Sequence, residues 1–403
     1  MTFVKEINNY DKALLLLISS LFAGNLSGVL LLPRTVSIIL LPFLLSSLNY
    51  KALPKNPVTL MGVWILWGSI SLLYTPDLSE GILQLVLLLT NCLYAYEILF
   101  FATRSQKPLF SIALGWLISI TLNNIVGVWE IITDNHLSVS KFGSDRELII
   151  DGAAVLMHYA NGFFSNYNAF VTFTCCALPF QYYLLFNFKG KLIRSACFVN
   201  ILVSIYTIFM DASRGGVLAI FVISVVYFYE LMKARKSRFF YLLVFGLFIG
   251  FVVVFWDTLS ALVIGRQADI ARIEDEARYK VWVRCIKLIA GSFGLGTGIG
   301  GVGVSMEAIA GKGSVLAPHN AFFEILVQYG LIVFLFFLSF IYKLYLNVKK
   351  RTKSPCNIVI YSSLISMPLV FIINSVYLAN PFFWAFLMSL YVFSDQKYQK
   401  LYI

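Results

Sequence analysis

The residues best equipped for chemistry gather in one polar stretch, Trp256 to Asn320, of an otherwise apolar chain. His319 stands in Ala317-Pro318-His319-Asn320, with Glu324 five residues on. An imidazole titrates near neutrality and can take a proton from an attacking hydroxyl. The chain has only three histidines (His136, His158, His319), and a lone histidine is more often structural. The general-base reading of His319 rests on its place between a basic cluster and a helix start. That cluster is Arg266, Arg272, Arg278, Lys280, Arg284 and Lys287. Guanidinium groups bind phosphate oxygens in a bidentate fork, so Arg278, Arg266 and Arg284 fit recognition of an anionic group. The competing reading is a solvated amphipathic helix paired with Glu274, Asp275 and Glu276.

Other polar residues are candidates on weaker grounds. Arg214, in Asp211-Ala212-Ser213-Arg214-Gly215-Gly216, joins two apolar runs almost without a loop. A charge at the membrane edge is costly unless it is partnered or snorkels to the headgroups. Asn166 and Asn168 open another apolar run and could bond sugar hydroxyls or cap the helix. Arg34, after Pro33, could meet a substrate anion or a phospholipid headgroup. The run Gly291 to Gly303 contains formal GxGxxG matches, but no strand–helix nucleotide unit surrounds them and no P-loop Lys-Ser/Thr follows. Its glycines are expected to allow tight turns and close backbone approach to membrane or substrate. No histidine–carboxylate set has metal-ligand spacing, so neither a metal nor another cofactor is expected.

The elements that hold these residues are membrane helices. The chain of 403 residues is 59% hydrophobic and 13% charged, about half the charge of an ordinary soluble domain. An all-α polytopic membrane protein follows, one integral membrane domain over 1–403 with about twelve spans. The expected spans are 13–32, 35–49, 58–74, 81–101, 109–131, 161–186, 193–210, 216–232, 239–255, 320–342, 357–375 and 381–394. The first is read as a retained helix, since no small-residue cleavage site follows it. Short loops with Lys51 and Lys55, Arg104 and Lys107, Lys189 to Arg194, Lys233 to Arg238, and Lys343 to Lys353 fall on one side of the alternating trace. Excess Lys and Arg mark the cytoplasmic face, and both termini join it. The net charge of +11 therefore does not point to nucleic acid. Two longer segments, 132–160 and 256–319, lie on the opposite face, the second carrying a helix from Asp275 to Ala290 along the membrane surface. The six cysteines read as small hydrophobes within apolar runs.

These residues resemble the bacterial O-antigen ligase and O-antigen polymerase superfamily. The matching pieces are Ser213-Arg214-Gly215-Gly216, Ala277-Arg278-Tyr279-Lys280-Val281-Trp282, Gly294 to Gly298, and Pro318 to Leu331. Gly162 to Ala169 matches an Asn-rich segment of the family, with Tyr167 where proline is frequent. The resemblance implies a metal-independent glycosyltransferase in the plasma membrane, its site on the outer face. The donor would be a glycan on undecaprenyl diphosphate, and the acceptor a glycan hydroxyl or lipid A–core. Arg214 and Arg278 would hold the diphosphate; His319 would deprotonate the acceptor, with inversion at the anomeric carbon. Asn168, Asn320, Arg266, Arg284 and Arg34 would be further substrate contacts. Membrane lipids, a flippase and a chain-length regulator are the partners it allows. A repeat-unit polymerase is the favoured branch, a ligase the alternative. A transporter and a non-catalytic assembly partner are rival readings; Asn123 and Asn124 are the only polar pair deep in a span.

Overall fold

The computed structural model describes residues 7–23, 31–46, 54–138, 146–150, 153–157, 159–211, 213–234, 246, 268–311, 317–350 and 354–399, without side chains for 146–157 and 268–277. Helices dominate, as apolar runs without internal turn signals require. They are α1 (Asn9–Ser19), α2 (Leu32–Ser46), α3 (Lys55–Ser71), α4 (Leu78–Arg104), α5 (Pro108–Thr133), α6 (Tyr167–Asn187), α7 (Lys191–Met210) and α8 (Arg214–Ala234). After them come α9 (Ala268–Gly291), α10 (Val302–Ala310), α11 (Ala321–Lys349), α12 (Pro355–Val370), α13 (Pro381–Ser394) and α14 (Gln396–Gln399). The all-helical expectation meets one exception within 132–160. Strands β1 (Arg146–Ile150) and β2 (Ala153–Met157) form an antiparallel hairpin, Arg146 opposite Met157.

Six of these helices are long and apolar enough to cross a membrane: Leu78–Arg104, Pro108–Thr133, Tyr167–Asn187, Lys191–Met210, Arg214–Lys233 and Ala321–Lys349. α2, α12 and α13 are apolar but short, at 15, 16 and 14 residues, where an untilted span needs about 20. The expected span 239–255 lies outside the described residues, except residue 246. Local signals set the helix starts. Asp77 caps α4 by accepting the Glu80 N–H at 3.1 Å, and Asn166 caps α6 by accepting that of Ala169 at 2.9 Å. Pro355 and Pro381 occupy first turns, where a missing N–H costs nothing.

The chain divides into two compact units. The first comprises 1–112, 274–347 and 374–403. Here α1, α2, α3 and α13 pack around α4. Trp64 is fully buried, its ring 4.9 Å from that of Trp384 and 5.7 Å from Tyr329. Asp11, also fully buried, accepts the Lys107 N–H at 2.8 Å and the Ser105 hydroxyl, tying α1 to the α4–α5 turn.

The second unit comprises 113–273 and 348–373. α12 runs along α8, and α6 packs on α7, α8 and α12. The Trp116 and Phe180 rings stack at 5.5 Å. Asn124 donates to Asn200 Oδ1 at 2.9 Å and Ser204 Oγ at 3.0 Å, and Asn200 donates to Thr121 Oγ1 at 2.6 Å. Asn123 Oδ1 accepts the Phe163 N–H at 3.1 Å. The polar pair that a transporter reading would need is engaged in holding helices together.

Candidate functional site: the His319 turn and the basic helix

His319 sits between two backbone anchors. On one side, Asn320 caps α11: its Oδ1 accepts the N–H groups of Phe322 at 2.8 Å and Phe323 at 3.3 Å. On the other, the Pro318 carbonyl accepts the indole N–H of Trp282 at 3.1 Å, and the Trp282 and Phe323 rings lie 6.0 Å apart. The histidine between them is half-buried, with a left-handed backbone at φ 49°. That conformation is uncommon outside glycine and is held here by its fixed neighbours. Glu324 does not serve the histidine as the spacing invites. Its buried carboxylate accepts the N–H groups of Tyr377 at 2.8 Å and Leu378 at 3.1 Å.

Trp282 joins the turn to α9, and Arg278 lies one helical turn earlier on the same face. The underside of α9 is apolar. Val281 and Cys285 are buried with Met306 and Val327, and Leu288, Ile289, Val302 and Phe323 pack around them. Burial pushes the Cys285 thiol up to about 12, so it behaves as a small hydrophobe. Arg278 and Arg284 are half-buried, while Lys280 and Lys287 are exposed. Among the described residues, neither arginine has a hydrogen-bond or ion-pair partner. The side chains of Glu274, Asp275 and Glu276, which the solvated-helix reading needs, lie outside the described ones, as does Arg266.

The glycine run makes a close approach, but to the protein's own helices. Gly294, Gly296, Gly298 and Gly300 all have positive φ, between 76° and 88°. A Cβ on Gly296 would lie 2.7 Å from Gly330 N, one on Gly298 2.9 Å from the Ser71 carbonyl, and one on Gly300 2.5 Å from Gly81 N. α11 breaks at Gly330, where φ is 74° and ψ −170°. In an unbroken helix the Leu331 N–H would bond the Val327 carbonyl. Instead Leu331 donates to the Gly294 carbonyl, and Thr297 donates to that of Val327, both at 2.7 Å. The glycine run thus satisfies the groups that the kink exposes.

The remaining candidates are placed as follows. Arg34 is 4% exposed; its Nε donates to Asn91 Oδ1 at 3.3 Å and its Nη2 to the Ala379 carbonyl at 2.6 Å. That burial removes the headgroup reading for Arg34. In the second unit, Arg214 begins α8 half-exposed, next to Gly216, where a Cβ would lie 2.4 Å from Val171. Asn166 is spent as a cap, whereas no described residue bonds the half-buried side-chain amide of Asn168.

Two features escaped the sequence reading. In the second unit, fully buried Glu130 holds His136 Nδ1 at 3.1 Å and accepts the N–H groups of Asn161 and Gly162, both at 2.7 Å. In the first, a cavity of about 300 Å³ opens beside Pro318, lined by Asp77, Glu80, Gln84, Glu324 and Gln328 among others. The Glu80 N–H and the Ser79 hydroxyl hold Asp77 below its ordinary range, so it is ionised at neutral pH. The signal was the Asp77-Leu78-Ser79-Glu80 start of α4, legible as a cap but not as a wall.

Comparison with known proteins bears on this arrangement. Residues 199–338 match the family model described as O-antigen ligase. The match runs through Arg214, Arg278, the glycine run, His319 and Asn320, and stops short of Arg34 and Asn168. The resemblance to the O-antigen ligase and polymerase superfamily holds. The chain is also similar to the teichuronic acid biosynthesis protein TuaE of Bacillus subtilis (strain 168), at 26% identity over 351 residues, 83% of this chain and 70% of that protein. Among the described residues, the six apolar helices together with this likeness support a multi-pass membrane protein.

Proposed function

We propose that the chain is a repeat-unit polymerase: a membrane glycosyltransferase that moves a glycan from undecaprenyl diphosphate onto a hydroxyl of an acceptor glycan. The observation that supports it most is His319, held between Asn320 and Pro318, whose carbonyl bonds Trp282; one turn of α9 before Trp282 stands Arg278, half-buried and without a protein counter-ion among the described residues. The acceptor oxygen attacks the anomeric carbon, and its proton passes to the His319 imidazole. The bond from that carbon to the diphosphate breaks, and undecaprenyl diphosphate leaves with the electron pair. Attack from the far side inverts the anomeric centre. Arg278 offsets the charge growing on the leaving group, as a preorganised donor does at a developing anion. On this reading the site lies on the outer face, with both termini cytoplasmic. The relative named for teichuronic acid biosynthesis is in keeping with polysaccharide assembly.

The test is a surface-polysaccharide gel from a strain lacking the gene, rescued with wild type, His319→Ala or Arg278→Ala at equal expression. Polymerase predicts single-repeat glycan without the long-chain ladder, restored by wild type alone. Each variant should lose about 10²-fold or more in rate. A bare acceptor with long polymer held on the lipid carrier would mean a ligase instead. Full rescue by both variants would end the catalytic reading.

A further inference from the structure

We propose that the end of α9 and the glycine run after it dip into the bilayer, where phospholipid acyl chains cover Phe293. The inference goes beyond the glycan-transfer reading and does not depend on it. All the residues concerned belong to the first unit. Phe293 follows α9 directly, with a left-handed backbone at φ 50° and a side chain 92% exposed. Hydrogen bonds at the helix end hold that conformation: Phe293 N–H donates to the Ala290 carbonyl at 3.0 Å, and Gly294 N–H to that of Ile289 at 2.9 Å. Glycine recurs at 294, 296, 298 and 300 and would take the same backbone with neither strain nor an exposed ring. A ring so exposed gains almost no packing inside the protein to offset either cost.

The surroundings of Phe293 say what covers it. Ile286 and Ala290 are exposed on α9, away from the face that buries Val281 and Cys285. Leu295 is exposed too, and its carbonyl accepts the Tyr74 hydroxyl at 3.2 Å. That bond places Leu73, 87% exposed just past α3, beside the run. Leu73 ends an exposed stripe of α3, Leu66, Ile70 and Leu73. Leu331, which donates to the Gly294 carbonyl, begins another on α11, Leu331, Leu335 and Leu338. Each stripe repeats at i, i+4 and i+7, one face of a helix. α11 is long and apolar enough to cross a membrane, so its exposed leucines face acyl chains. Both stripes meet at the run that carries Phe293, which makes its apolar surface continuous with theirs. Lys287, exposed next to Ile286, supplies charge complementary to headgroup phosphates. Apolar side chains bordered by a basic one are the pattern of a helix lying in the membrane interface.

The experiment places a bimane label at Phe293→Cys, and in a second variant at Leu73→Cys. The full-length protein is held in nanodiscs of synthetic phospholipid, one copy per disc. All six native cysteines are buried and leave little background. Lys280→Cys, exposed on α9, gives the water reference, and Leu335→Cys, exposed on α11, the lipid reference. Both test labels should behave as the lipid reference does. A nitroxide high on the phospholipid acyl chain should quench them, and the iodide quenching seen at Lys280→Cys should be lost. Iodide quenching as strong as at Lys280→Cys would overturn the proposal by leaving Phe293 in water. Shielding from both quenchers would overturn it by covering the ring with protein. Nitroxide quenching that added undecaprenyl phosphate abolishes would overturn it too, by assigning the surface to the tail of a lipid carrier. Leu73→Cys decides the matter if Phe293→Cys fails to fold. Quenching is read without turnover, so failure here and failure of the transfer reading are separate results.

Discussion

At the scale of single residues, the site combines a strained histidine with two unstrained anchors. The φ of 49° at His319 would be relaxed by glycine, which adopts it freely. His319→Gly should therefore keep stability within about 1 kcal/mol of wild type, because relieved strain offsets lost contacts. Transfer should still fall about 10²-fold or more if the imidazole is the base. Thermal melting and a transfer assay on the same preparation separate the two. Trp282→Phe keeps a ring against Phe323 but loses the bond to Pro318, costing about 0.5–1.5 kcal/mol. Asn320 was read as a candidate substrate contact, and its side-chain oxygen proves to be fully engaged as a cap. Its position just before an apolar run was the legible part. Glu324 was legible as a neighbour of His319, but its partners, Tyr377 and Leu378, lie 53 and 54 residues away in sequence. No local pattern announces a contact of that range. Arg34 is the same case, buried by Asn91 and Ala379 from distant parts of the chain.

At the scale of elements, α11 and the glycine run form one unit of backbone hydrogen bonding. Gly330→Ala would bring a Cβ within 2.3 Å of the Gly294 carbonyl, at a φ of 74° that alanine resists. Strain alone costs about 1–3 kcal/mol, and the clash with main chain adds to it. Folded yield in detergent should collapse for this variant. Gly62→Ala is the control: it lies within α3 with nothing within 4 Å of the added methyl, and should gain up to about 1 kcal/mol. Positive φ was readable from the density of glycines in 291–303; the surface they approach was not, because Ser71, Gly81 and Gly330 come from three other elements. Helices were legible wherever apolar runs are long. The hairpin of 146–150 and 153–157 was missed, since two five-residue strands, which among the described residues pair only with each other, leave no sustained period.

At the scale of the whole molecule, the alternating trace of spans and the loop charges make a topological prediction. All six cysteines are buried, so the native chain offers little background to a thiol reagent. Tyr279 on α9 is 66% exposed, and Lys343 near the far end of α11 is exposed too. In intact cells, a membrane-impermeant maleimide should label Tyr279→Cys and spare Lys343→Cys until the membrane is permeabilised. The opposite pattern would invert the molecule and put the proposed site on the wrong face for a lipid-linked glycan.

The shared hydrogen bonds at Gly330 also fix a length. Gly294 hooks Leu331 and Thr297 hooks Val327, so the run spans one helical turn with one peptide group at either end. A residue inserted or deleted between 294 and 297 would slip that register and strand a buried N–H or carbonyl, at about 1–3 kcal/mol for each. The segment is thus a ruler cut to the helix it measures. In a survey of related chains, insertions should cluster elsewhere and leave this interval at constant length, whatever sugars those chains assemble.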